Sequence, residues 1–134
     1  MALAADRNTP HVRGELESHP VKAATKIYGG SLVCLDAAGW AVPGAVATTL
    51  VALGRAEEQV DNTAGANGDL RVTVRRGRFR WKNSAAADAI TRAEIGDDCY
   101  VVDDETVAKT SGGATRSLAG KIVDLDAQGV WVES

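Results

Sequence analysis

The stretch "RVTVRRGRFRW", residues 71–81, decides the fold. Side chains alternate faces along a β-strand, so residues of equal parity share a face. Val72 and Val74 are even, whereas Phe79 and Trp81 are odd. They line one core only if an extra residue is inserted between them. Arg76-Gly77 is the place for it, because glycine adopts the backbone conformations that a bulge or tight turn demands. With that insertion Arg71, Thr73 and Arg75, then Arg78, Arg80 and Lys82, face outward. A one-residue slip would bury arginines, so the register is strongly specified. The reading is a cationic stripe on the surface of a β protein.

Working outward, the flanking sequence is a chain of hairpins. "SLVCLDAAGWAV" (31–42) and "KIVDLDAQGVWV" (121–132) each place two apolar runs around an Asp-Ala-x-Gly turn, at Asp36–Gly39 and Asp126–Gly129. Aspartate supplies an acceptor at the turn start, and glycine takes positive φ at its end. "CYVVDDETVAK" (99–109) is a third hairpin with Asp103–Glu105 at its tip. "TTLVALGRAEEQV" (48–60) reads as a strand with a bulge at Gly54, and "DNTAGANGD" (61–69) as a turn-rich loop. Thr91 and Glu94 form a capping-box pattern with room for one helical turn. These signals predict an all-β protein: a small β-barrel or β-sandwich built from hairpins, with one short helical turn. Residues 1–20 hold Pro10, Pro20, both histidines and several charges with little periodicity. They read as an extended N-terminal arm preceding a single β domain over 21–134.

Composition bounds the rest. The chain has 134 residues, 45% hydrophobic and 25% charged, with aromatics at only 4%, so the core must come from Val, Leu, Ile and Ala. Residues 71–82 carry six cations and no acid, which leaves −9 on the remainder of a chain whose net charge is −3. Six of those acids crowd residues 94–105: Glu94, Asp97, Asp98, Asp103, Asp104 and Glu105. One positive stripe on a negative molecule points to an acidic partner or to pairing of one patch with the other. Three readings of the stripe stand side by side. It is a solvated face paired to acids on neighbouring strands, a protein interface, or a nucleic-acid surface. The last is disfavoured, because the aromatics fall on the inward parity and the protein is acidic.

No run of about 18 apolar residues is present, so no membrane span is expected. The N-terminus lacks a basic start and an apolar core, which argues against a secretory signal. Cys34 and Cys99 sit in apolar runs and read as small buried hydrophobes in a reducing compartment. Trp40 and Trp131, each just past a turn glycine, read as core residues, with a subunit anchor as the alternative. His11 and His19 lie in the arm, where nothing fixes their orientation, and no Cys-x-x-Cys, His-Glu-x-x-His or phosphate-loop pattern occurs. The sequence therefore predicts no enzyme, no cofactor and no metal.

The segments "ATKIYGGSLVCLDAAGWAVPG", "GRAEEQVDNTAGANGDLRVTVRRGRFRWKNS", "IGDDCYVVDDETVAKT" and "AGKIVDLDAQGVWVE" together resemble a family of capsid cement, or head decoration, proteins of tailed bacteriophages and Mu-like prophages. The resemblance runs from about Ala5 to the end and rests on turn glycines, the Arg-Arg-Gly strand, the Tyr-Val-Val-Asp hairpin and the terminal Gly-Val-Trp-Val. It implies a non-enzymatic β domain on the outside of the virion capsid, made in the host cytoplasm and bridging subunits of the major capsid protein. It also implies a homo-oligomer, with a trimer favoured, and an arm that reaches onto the shell. The family brings no motif that fixes the contacts. The candidates taken from charge and from the loose N-terminus are Arg71, Arg75, Arg78 and Arg80, together with Asp6, Arg7, Asn8, Thr9, Pro10, His11 and Val12. A nucleic-acid-binding barrel and a tail or baseplate component are the alternatives.

Overall fold

A computed structural model describes residues 2–10 and 14–134. The chain folds almost wholly into strands: β1 (Leu16–Pro20), β2 (Thr25–Ile27), β3 (Leu32–Leu35), β4 (Ala41–Pro43), β5 (Val51–Ala56), β6 (Val60–Asn62), β7 (Arg71–Arg75), β8 (Arg78–Asn83), β9 (Asp98–Val101), β10 (Thr106–Ala108), β11 (Leu118–Asp126) and β12 (Gly129–Glu133). Two single 3₁₀ turns, Ala86–Asp88 and Arg92–Glu94, lie between β8 and β9. The expected capping box is present on the second: the Thr91 hydroxyl accepts from Ala93 N, and Glu94 accepts from Thr91 N at 2.6 Å. The first turn, which begins at Ala86 with φ 55°, was not anticipated.

The strands form one five-stranded sheet, a closed five-stranded barrel and a two-stranded ribbon. The sheet runs β1-β7-β5-β3-β4, the barrel β10-β8-β12-β11-β9, and β2 pairs with β6. The sheet nearly closes on itself, because Val21, just past β1, bridges Ala41 of β4 and Lys22 N donates to Ala41 O at 3.1 Å. The all-β barrel expected from sequence is thus present, alongside a second layer.

The three hairpins stand where their turns placed them. Asp36 Oδ1 accepts from Ala38 N at 3.0 Å and Trp40 N at 2.9 Å. Asp126 Oδ1 repeats this with Gln128 N at 2.8 Å and Gly129 N at 3.1 Å. One hairpin (β3–β4) serves the sheet, and the other (β11–β12) serves the barrel.

Two findings correct the sequence reading. The first concerns Arg76-Gly77. The parity change is not a bulge that keeps one face in one core. It marks the point where the chain leaves the sheet as β7 and enters the barrel as β8. Val72 and Val74 are fully buried in the sheet core with Val21, Ile27 and Leu53. Trp81 is buried in the barrel core with Ile90, Val101 and Ile122, and Phe79 packs against it. Gly77, at φ 151°, makes the crossing in a backbone region that L side chains rarely adopt. The second concerns the arm. Leu16–Pro20, assigned to it from sequence, form an edge strand paired with all five residues of β7.

β3 unites the two cores. Its residues alternate between them: Leu32 and Cys34 point into the barrel core, Val33 into the sheet core, with Leu35 packed against the latter. A strand buried on both faces reads as an unbroken apolar run, which is why "LVCL" shows no alternation. The expected bulge at Gly54 is present, where the β3–β5 register shifts. A Cβ at Gly54 would collide with the carbonyl oxygen of Arg75.

Candidate functional site

The cationic stretch divides at Gly77 into two halves with different partners. On β7, the guanidinium of Arg71 donates to Ser18 Oγ at 2.9 Å and to the Ser18 carbonyl at 2.8 Å. Arg75 bonds Glu15 and, at 3.2 Å, Glu57, which also takes Arg55. Arg76 bonds Glu17, itself 2.9 Å from His19 Nε2. The Arg76 bond, the largest influence, holds the Glu17 carboxyl below the ordinary glutamate range despite partial burial. Every cation of this half therefore holds the N-terminal strand β1 or the loop after β5. His19, expected to be unoriented, is fixed by its strand and by Glu17.

The β8 half is looser. Arg78 approaches Glu133 at 3.6 Å, and Arg80 approaches Asp126 at 3.7 Å while lying 5.7 Å from the Trp131 ring centre. Lys82 forms a tight pair with Glu105 at 2.6 Å, which holds the lysine's pKa above its ordinary value. The basic stretch and the acidic cluster thus meet within one chain. Other members of that cluster also have partners: Glu94 with Lys109 at 3.5 Å and Asp98 with Lys121 at 2.6 Å. Arg78 is 63% exposed and Arg80 43%, against 32% for Arg75. Pairs as long as 3.6–3.7 Å leave guanidinium donors free for another acceptor.

The remaining candidates lie in two groups. Asp6, Arg7, Asn8, Thr9 and Pro10 are all exposed, and Arg7 donates to Thr9 Oγ1 at 3.2 Å. His11 and Val12 fall outside the described residues. Trp40 and Trp131 are half-buried and belong to neither core, contrary to the expectation; Trp131 instead lines a shallow depression with Arg78, Val123 and Asp124. Cys34 and Cys99 are buried free thiols, as expected, and burial pushes both up to about 12.

Elsewhere, an open cleft is lined by Tyr28, Gly29, Gly30, Ser31, Asp104 and Glu105. Burial, then the charges of Asp103 and Glu105, raise the Asp104 carboxyl above its ordinary range. Among the described residues, no three His, Cys, Asp or Glu side chains gather to hold a metal ion. No helix there is long and apolar enough to cross a membrane. Comparison with family models, with curated proteins and with solved structures returns no match.

Proposed function

We propose that this protein is a structural component of a phage virion that binds the outer surface of the capsid and ties subunits of the major capsid protein together. The reading is supported by the sequence resemblance. The structural observation that carries it is the contrast between a rigidly paired body and Ala2–Pro10, exposed at every residue. Such a segment gains order by adding to an edge of another protein, and several weak contacts engaged together give a large effective affinity. Asp6–Pro10 supply the polar part of that contact. Arg78 and Arg80, with guanidinium donors to spare, supply a second contact to carboxylates on the shell. Arg71 and Arg75 are committed to β1 and to the loop after β5, and serve the fold.

The internal pairing also weighs against the nucleic-acid alternative, since cations matched to their own acids present little net positive potential to phosphates. The test is co-sedimentation. Mixed with undecorated mature heads of its own phage, the protein is expected to pellet at a fixed ratio to capsid subunits. Retention in the supernatant would contradict the reading.

A further inference from the structure

The sheet and the barrel each leave half a strand without a ladder partner, and the two open edges border one groove. β5 pairs with β7 only through Arg55 and Ala56, so Val51–Leu53 are unpaired on that side. β11 pairs with β12 only from Lys121 onward, so Leu118–Gly120 are unpaired on theirs. Between these edges lies an open groove of about 320 Å³ whose lining includes Val51, Ala52, Leu118, Ala119 and Gly120. The Ser117 hydroxyl closes one end, accepting from Leu50 N at 3.0 Å and donating to Ala47 O at 2.6 Å. Val51 is 57% exposed and Leu118 50%, two large apolar side chains facing solvent across the same groove. At roughly 30 Å³ per water the groove holds about ten waters, room enough for one leucine side chain and flanking methyl groups.

The chain itself contains a segment of that description. Ala2-Leu3-Ala4-Ala5 is apolar, all of it is exposed, and Leu3 is 74% exposed. The geometry points to this arm tip of a second copy as the occupant, with Leu3 in the groove and its backbone adding a short strand to the open edge of β5. The chain's own tip lies outside its groove, whose lining includes no residue of the arm while Leu3 stays exposed. The arm starts beside its own groove: Arg76 N bonds Glu15 O at 2.8 Å, and the neighbouring Gly77 O accepts from Ser134 N, a residue of the groove rim. Ten residues lie between Leu3 and Gly14, and their greatest span of about 36 Å is enough for the tip to reach the groove of an adjoining copy. The contact is head-to-tail and closes into a ring of copies when the rotation allows. The guarded edge of β1 does not compete for the tip. Arg71 covers the Ser18 carbonyl there, and Pro20 offers no N–H.

Full-length single variants test this without any capsid, so the outcome is independent of head binding. Leu3→Cys is mixed with Leu118→Cys under mild oxidation; the native thiols, buried and poorly ionised, stay silent. Disulfide-linked dimer is expected at least about tenfold above that from Leu3→Cys mixed with Arg92→Cys, because a docked tip has a millimolar effective concentration. Yield equal to that control would overturn the proposal. So would a Leu3→Cys, Leu118→Cys double variant that closes only within single chains, since the groove would then hold its own arm. Circular dichroism of each variant confirms that the exposed substitutions leave the β fold intact.

Discussion

The two halves of residues 71–82 differ in what their charges are for. Arg75 at the end of β7 and Arg76 just past it are one-third exposed and grip Glu15, Glu57 and Glu17. On β8, Arg78 and Arg80 lie more open and reach their acids at 3.6 and 3.7 Å. The first half binds the strand nearest the N-terminus, and the second lies along β12, nearest the C-terminus. A run of arginines that resembles a ligand surface is therefore, over its first half, an internal clamp. The lesson is that a cationic stripe read from parity alone says where the charges point, and only the partners say whether they are spent.

Substitutions can break that contrast or sharpen it. The largest effect is expected at the strand the two layers share. Leu32→Ala should cost about 2–5 kcal/mol, the usual range for truncating a buried leucine. Because Val33 of the same strand packs in the other core, urea unfolding should remain one transition for both halves, read by Trp fluorescence and by amide exchange at Val72 and Val74. Two separated transitions would show that the layers are energetically independent. Next comes the bulge in β5. Gly54→Ala places a methyl group against the Arg75 carbonyl at φ 155°, and a loss of about 1–3 kcal/mol in urea titration is expected.

The clamp itself comes third. Arg76→Met should cost about 1 kcal/mol, and Arg78→Ala no more than about 0.5, as usual for an exposed pair. Equal costs would erase the distinction between the halves. Acid sharpens it. The Glu17 pKa is lowered in the folded state, so its contribution is fully present above the ordinary glutamate value of 4.5 and is lost as pH falls through the lower folded value. Protection factors at the β1 amides should fall over that window while those of β8 hold, and Glu17→Gln should abolish that fall.

What could be read from the sequence was local. Asp36, Asp126 and the Thr91–Glu94 pair each satisfy backbone groups within four residues, so hairpins and cap were visible in the letters. What could not be read was held at a distance. β1 places Glu17 and His19 where an apolar strand would place valines, and the arginines that hold it lie more than fifty residues away. The change of parity at Gly77 is compatible with a bulge inside one core or a passage between two, and the pattern alone does not separate them. The open groove beside Leu118 left no trace, because exposed leucines occur on most surfaces.

Hydrogen exchange on the protein bound to its own capsid tests the account most directly. The account predicts new protection confined to the polar part of the arm over Asp6–Thr9 and to β8 around Arg78 and Arg80, with β1 and β7 unchanged from the free protein. Protection at β1 and β7 instead, or none at the arm and β8, would contradict it.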